Sequence, residues 1–200
     1  MSNGKRLDHV KDLLGHKLAR KVGAMDARVP HVLDKFIFEK VKNSIGNRKK
    51  IRARQVANAV IEEANRHGFD PMFLLAVIKR ESSFNEEARG DFGEIGLMQI
   101  KPDTGEWIAK KSNLKWKGER SLLDPVQNIR IGSAYLAYLR KRLPTQGLYV
   151  SAYNMGPKNV RELLAKNSTP KEYLTDVLDN YEDLYSEVHI NKRRTIAGSR

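Results

Sequence analysis

The 200-residue sequence contains no cysteine, which excludes disulfides, thiol nucleophiles and thiolate metal ligands. Its five histidines are scattered and form no H-E-x-x-H metal motif. A G-x-x-x-x-G-K-[ST] phosphate loop and a G-x-S-x-G nucleophile elbow are also missing. These absences argue against metalloprotease, nucleotide-binding and serine-hydrolase chemistry, and the sequence predicts neither a metal nor a cofactor.

Long apolar runs are also missing: none approaches the roughly 18 residues of a membrane-spanning helix. The N-terminal residues open no signal-peptide apolar region. Alternating β-strand patterning is absent, and apolar residues recur instead at helical spacing. The sequence therefore predicts an all-α fold, with at most a small β-hairpin in the loop at 88–100.

The net charge of +13 is unevenly distributed. Residues 1–54 contain 15 Lys/Arg against 5 Asp/Glu, residues 189–200 contain 4 Lys/Arg and no acid, and residues 55–188 are nearly neutral. This predicts a basic N-terminal helical extension (1–54), a central domain (55–188) and a basic tail (189–200). Basic segments bind anionic polymers or membrane surfaces, or form only a solvated face.

The stretch 73–104 predicts a buried helix followed by a glycine-rich loop. Asp70-Pro71 supplies an N-cap and a first-turn proline, and an almost unbroken apolar run follows. Glu81 continues the apolar stripe near the end of this helix, where apolar surroundings and the helix dipole both raise a carboxyl pKa. That is what a general acid requires. A water-exposed carboxylate on a frayed last turn fits the spacing equally well.

Four blocks in chain order resemble the signature of the soluble lytic transglycosylases and goose-type lysozymes. They are Glu81-Ser82-x-Phe84 through Gly96-Leu97-Met98-Gln99-Ile100-x-Pro102-x-Thr104; Asn128-Ile129-x-x-Gly132-x-x-Tyr135-Leu136; Ala152-Tyr153-Asn154-x-Gly156-Pro157-x-x-Val160; and Tyr173-Leu174-x-x-Val177-x-x-x-Tyr181. One block would be weak evidence, whereas four in order are specific. The resemblance implies a lysozyme-like helical domain that cleaves the β-1,4 bond between N-acetylmuramic acid and N-acetylglucosamine.

The resemblance also implies roles for individual residues. Glu81 would act first as acid and then as base, closing a 1,6-anhydro ring without consuming water, and the substrate's acetamido group would assist. A hydrolysing goose-type lysozyme is the alternative. Substrate contacts would come from Ser82, Gln99, Tyr153, Asn154, and Tyr181, which would hydrogen-bond the glutamate. Met98 would form core or cleft wall. For both tyrosines, core packing is the competing interpretation.

The chain departs from the family pattern at two positions. The usual serine nine residues after the glutamate is Gly90, and the usual alanine thirteen residues after it is Glu94. A carboxylate favours an ammonium over an amide oxygen. We therefore hypothesise a preference for partly deacetylated peptidoglycan, with Glu94 or Asp91 as the ammonium partner. Otherwise Glu94 points to solvent and specificity is ordinary.

A cell-wall substrate implies an exported, periplasmic or extracellular protein whose native export signal is missing from this chain. Delivery by lysis or by a dedicated secretion system is the alternative. The expected partner is the peptidoglycan strand, bound by a monomer, with the basic arms touching anionic wall polymer or membrane. A basic helical nucleic-acid-binding protein is the alternative from another class. Little aromatic interleaving accompanies the positive charge, and that alternative leaves residues 81–104 unexplained, so nucleic acid is not expected.

Overall fold

A computed structural model describes residues 3–28, 32–45, 50–144 and 147–197, with side chains except at 3, 24–28, 50–51 and 189–197. The helices are α1 (Asn3–Arg28), α2 (Val32–Ile45), α3 (Lys50–His67), α4 (Pro71–Ser82), α5 (Pro102–Lys111), α6 (Arg120–Leu123), α7 (Pro125–Arg142), α8 (Leu148–Met155), α9 (Pro157–Ala165) and α10 (Glu172–Ala197). In these ranges β-structure is limited to isolated bridges, two of them at Arg89–Ile95 and Ile95–Ile100. The all-α prediction is confirmed, and none of the described helices is long and apolar enough to cross a membrane.

Helix α4 lies at the centre of the fold. Asp70 caps it by accepting a hydrogen bond from the Met72 N–H at 2.7 Å, and Pro71 occupies the first turn, as the sequence predicts. Its first two turns, residues 71–78, are fully buried. Helices α3 and α10 pack against it, which explains why the run has no polar face. The helix ends at Ser83, whose backbone is left-handed.

Helices α4 and α10 run antiparallel. Tyr173, near the start of α10, contacts Glu81 at the end of α4, and Tyr185 donates to Asp70 at the other end of α4, with 2.7 Å between the oxygens. Helix α10 continues to Ala197, so the predicted basic tail begins as an extension of this helix. The tail's side chains and residues 198–200 lie outside the described residues.

The N-terminal segment packs on the same hydrophobic core as the rest of the chain. Helix α1 kinks at Gly15, whose φ of 81° is a conformation that favours glycine. Apolar residues of α1 and α2 are buried in that core: Val10, Val22, Leu33, Ile37 and Val41. The boundary drawn after residue 54 falls inside α3, and the three-part division of the chain stays a prediction.

A buried polar cluster joins α1 to the start of α4. Arg6 Nε donates to Asp70 Oδ2 at 2.6 Å, and Arg6 Nη2 donates to the Tyr185 hydroxyl at 2.8 Å. The Asp70 N–H donates to His9 Nδ1 at 3.2 Å, and His9 Nε2 lies 2.9 Å from the Tyr149 hydroxyl. Burial lowers the pKa of His9 well below its ordinary value. Helix α1 thus supplies hydrogen-bond partners to Asp70, the N-cap residue of α4.

Candidate active site

Glu81 is partly buried at the C-terminal end of α4, and its Oε1 accepts a hydrogen bond from the Tyr173 hydroxyl. Burial raises the pKa of Glu81 to about 7, against the Tyr173 hydrogen bond and the Arg80 charge, which lower it. The charge of Glu94 raises it further. Of the two interpretations that the spacing left open, the structure supports the buried, proton-carrying carboxyl.

The tyrosine that bonds Glu81 is Tyr173, so the choice of Tyr181 for this contact is wrong. Tyr181 is fully buried, with its ring 5.9 Å from that of Phe73 and 5.6 Å from that of Tyr185. Its hydroxyl has no hydrogen-bond partner among the described residues. Eight residues correspond to about 12 Å along a helix, which carries Tyr181 toward the other end of α4. Both tyrosines belong to one sequence block, and only the antiparallel packing distinguishes them.

Asn128, from α7, holds the glycine-rich loop against the core. Its Oδ1 accepts from the Met98 N–H at 2.8 Å, and its Nδ2 donates to the carbonyls of Ile95 at 2.8 Å and Leu122 at 2.9 Å. Asn128 is completely buried, and these three bonds satisfy its amide. The residue stands in one of the four sequence blocks, yet sequence reasoning gave it no role.

Met98 and Ser82 hold the glycine-rich loop in place. The Met98 side chain is completely buried and packs so close to Gly132 that a Cβ there would lie 2.6 Å from its sulfur. Met98 therefore takes the core rather than the cleft wall, and its side chain is not exposed to touch substrate. Its carbonyl accepts from the Tyr153 hydroxyl at 2.8 Å. Ser82 donates its hydroxyl to the Leu97 carbonyl at 2.9 Å, tying α4 to the loop.

Two adjoining cavities lie in this region and share Asn154 and Met155 in their walls. The first, of about 190 Å³, is lined by residues that include Glu94, Gln99, Lys101, Tyr135 and Tyr153. The second, of about 350 Å³, is lined by residues that include Arg80, Ser151, Lys171 and Tyr173. Burial and then the Glu81 charge raise the pKa of Tyr153, so the two side chains are close enough to interact. The structure thus brings together Glu81, Glu94, Gln99, Tyr153 and Asn154.

Gly90 and Glu94, the two departures from the family pattern, touch each other. A Cβ on Gly90 would lie 2.4 Å from Glu94 Oε2 and 3.0 Å from Gln99 Oε1. The Gln99 amide nitrogen donates to the carbonyls of Gly96 at 2.8 Å and Ala88 at 3.2 Å, which turns its Oε1 toward Gly90. The Glu94 carboxylate therefore fills the space that a side chain at position 90 would need.

Glu94 is held in place by two donors. Its Oε2 accepts from the Phe92 N–H at 3.1 Å, and its Oε1 lies 3.4 Å from the Lys101 ammonium. Burial alone would raise the pKa of Glu94, but the backbone hydrogen bonds and Lys101 outweigh it and leave the pKa below its ordinary value. The carboxylate is thus ionised and lines the first cavity, and its contact with substrate stays a prediction.

In the part of the chain that the structure describes, no group of three or more His, Asp or Glu side chains could hold a metal ion. The expectation that the protein uses no cofactor stays a prediction.

Comparison with known proteins places this geometry in a family. The family model described as Transglycosylase SLT domain matches residues 58–175. That match covers more than half of the chain, so the chain belongs to the SLT transglycosylase family, and the resemblance seen in the sequence is confirmed.

Three similar proteins illustrate the relationship. Membrane-bound lytic murein transglycosylase C of Haemophilus influenzae (strain PittGG) is 30% identical over 170 residues, covering 75% of this chain and 48% of the relative. Its counterpart in Actinobacillus pleuropneumoniae serotype 5b is 38% identical over 116 residues, covering 53% of this chain and 32% of the relative. An inactive glutamate-to-glutamine mutant of the Pseudomonas aeruginosa lytic transglycosylase Slt has a solved structure with 25% identity and a TM-score of 0.54, covering 70% of this chain and 24% of that one. The chain spans less than half of the length of each.

Proposed function

We propose that this chain cleaves peptidoglycan as a lytic transglycosylase, breaking the β-1,4 bond after N-acetylmuramic acid and leaving 1,6-anhydro ends. The observation that carries the proposal is Glu81, a partly buried carboxyl with a pKa of about 7, bonded to Tyr173 beside two cavities. Membership of the SLT transglycosylase family supports it, as does the loss of activity in the Pseudomonas Slt glutamate mutant.

In the first step, protonated Glu81 gives its proton to the glycosidic oxygen while the bond from that oxygen to the anomeric carbon breaks. A carboxyl with a pKa near the working pH suits this role. The resulting carboxylate is stabilised by the Tyr173 hydroxyl and the Arg80 charge, the two groups that lower its pKa. The acetamido oxygen of the sugar stabilises the positive anomeric carbon.

In the second step, the Glu81 carboxylate takes the proton of the muramic acid 6-hydroxyl, whose oxygen then bonds to its own anomeric carbon. The proton returns to Glu81, so the enzyme is regenerated and no water is consumed. A water attacking instead would give a reducing end, which is the lysozyme outcome. Mass spectrometry of sugars released from purified peptidoglycan separates the two, because hydrolysis products are heavier by one water.

The experiment compares the wild type with Glu81→Gln and with Glu162→Gln, an exposed glutamate on α9. Anhydro products from the wild type and the control, and none from a folded Glu81→Gln, support the proposal. Near-normal lysis by a folded Glu81→Gln would move the acid elsewhere, and products heavier by one water would assign hydrolysis.

The preference for deacetylated peptidoglycan is a finer hypothesis. In its favour, Glu94 Oε2 and Gln99 Oε1 converge above Gly90, where two acceptors suit a donor such as an ammonium. Against it, Lys101 already pairs with Glu94, so a sugar ammonium must displace or share that partner. One wall preparation digested before and after enzymatic deacetylation, by wild type and Glu94→Ala, tests it. Equal or faster wild-type digestion of the acetylated wall would end the hypothesis.

We also propose that the protein is exported and works as a monomer in the periplasm or outside the cell, where its substrate lies. Helix α1 carries an exposed basic surface suited to anionic wall polymer or membrane headgroups: Lys5, Lys11, Lys17, Arg20 and Lys21. Deleting residues 1–54 would remove Arg6 and cut into α3, so substitutions are the better test of this surface.

The test replaces Lys11, Lys17 and Lys21 with glutamine and compares wall and vesicle co-sedimentation with that of a matched triple variant at Lys110, Lys115 and Lys117, which are also exposed. Weaker sedimentation at low salt for the α1 variant alone supports the proposal, since exposed charges act through screened attraction. Equal sedimentation of both variants and the wild type would show that α1 is only a solvated face.

A further inference from the structure

Phe92 is the most exposed large hydrophobic residue in the described ranges, with 81% of its surface accessible. It stands in a tight turn that the backbone closes twice, from the Gly90 N–H to the Glu94 carbonyl at 2.9 Å and from the Gly93 N–H to the Gly90 carbonyl at 3.1 Å. The Phe92 N–H itself donates to the Glu94 side chain. The turn is therefore built to hold this ring out from the surface.

Lys101 connects the ring to the proposed active site. Its ammonium lies 5.3 Å from the centroid of the Phe92 ring and 3.4 Å from Glu94 Oε1. Both Lys101 and Glu94 line the first cavity. The Phe92 ring thus stands at the rim of that cavity, next to the charged pair in its wall.

We propose that Phe92 forms an outer sugar-binding subsite, on which a pyranose ring of the glycan strand stacks as the strand leaves the first cavity. This inference rests on the proposed function. A pyranose presents a face of C–H groups that is both apolar and slightly positive, and the face of an aromatic ring is apolar and slightly negative. The exposed ring offers such a face without rearrangement of the turn.

A single exposed phenylalanine is common on protein surfaces and needs no explanation by itself. The position of Phe92 is distinctive because three features coincide: the closed turn, the cavity-lining Lys101 beside its ring, and the Glu94 carboxylate that accepts from its N–H. Only a glycan strand long enough to extend beyond the cavity can reach Phe92. The subsite therefore strengthens the binding of long strands and leaves that of short fragments unchanged.

The test measures binding by calorimetry in the Glu81→Gln background, which keeps the substrate intact. The ligands are purified long glycan strands and the disaccharide of N-acetylglucosamine and N-acetylmuramic acid. The variants are Phe92→Ala, Phe92→Tyr, which keeps the aromatic face, and the control Leu123→Ala, an exposed apolar residue on α6. Because Phe92 and Leu123 are both exposed, circular dichroism should show an unchanged fold.

We expect Phe92→Ala to bind long strands about threefold to tenfold more weakly, the range expected for one aromatic stacking contact. Disaccharide binding should be unchanged, and Phe92→Tyr and Leu123→Ala should match the parent. Equal strand affinity for Phe92→Ala and the parent would overturn the subsite, as would an equal loss for both ligands. If the parent itself binds no strand, the proposed function fails before Phe92 is tested, and the subsite falls with it.

Discussion

Tyr173, near the start of α10, donates its hydroxyl hydrogen to Glu81, near the end of α4. Tyr185, twelve residues further along α10, bonds Asp70, eleven residues before Glu81. One antiparallel helix pair therefore fixes both ends of the segment that carries Glu81, the proposed acid. The same helix pair therefore stabilises α4 and positions the Glu81 carboxyl group. Each contact between α10 and α4 can be tested separately.

Replacing Tyr173 with phenylalanine should reduce lytic activity by about tenfold to a hundredfold. This factor corresponds to the free energy of one hydrogen bond to a charged group. In the wild type the Tyr173 hydrogen bond lowers the pKa of Glu81, so the pKa should rise above about 7 when that bond is removed. Because the first step needs the protonated acid, the alkaline limb of the pH–activity profile should move to higher pH. Tyr181→Phe is the matched control, and a shifted limb in that variant would contradict the assignment.

Glu81→Gln should stabilise the fold at alkaline pH even though it abolishes activity. Burial raises the pKa of Glu81 from 4.5 to about 7, so the folded state keeps a proton that the unfolded chain releases within that window. Stability therefore falls as pH rises through the window, by about 3 kcal/mol once it is passed. The glutamine variant lacks this loss. Urea unfolding at several pH values gives the free energy of unfolding of the wild type and of Glu81→Gln. The difference between the two should vanish below pH 4.5, and a difference that stays constant with pH would contradict the prediction.

Gly90 and Glu94 should behave as a coupled pair. In Gly90→Ser the new Cβ meets the Glu94 carboxylate, which is the end of a flexible side chain and should move away from the Phe92 N–H and Lys101. The lost contacts should destabilise the fold by about 0.5–1.5 kcal/mol. In a Glu94→Ala background the same serine should fit, since the carboxylate is gone. A double-mutant cycle measured by thermal unfolding should give a coupling energy of about 0.5–1.5 kcal/mol. Additive effects would show that the two side chains do not compete for this space.

Arg6→Met should destabilise the protein by about 3–5 kcal/mol, because it leaves the buried Asp70 carboxylate without its cation. Lys40→Met is the control, since it breaks a partly exposed pair with Glu187, which lies 2.7 Å away, and should cost about 0–1 kcal/mol. Chemical denaturation of both variants checks the difference. Equal losses would mean that Asp70 finds sufficient partners in Tyr185 and the Met72 N–H.

Local features of the fold could be predicted from the sequence because neighbouring residues decide them. The Asp70-Pro71 and Asp124-Pro125 pairs each begin a helix with a side-chain cap, the second through the Gln127 N–H at 2.8 Å. The break at Gly15 is likewise a local backbone effect. The apolar run around Glu81 also predicted the direction of its pKa shift, since burial of the helix is its main cause.

The sequence by itself thus determined the helices, their caps, the family and the carboxyl group placed as the acid. Only the tertiary structure decided that Tyr173 meets Glu81, that Met98 turns into the core, and that Arg6 pairs with Asp70, 64 residues away. It also brought Glu94 against Gly90. These contacts depend on the direction in which α10 and α1 pack on α4 and on how the loop folds back. Spacing along one chain cannot encode that choice, because both directions present the same apolar stripe.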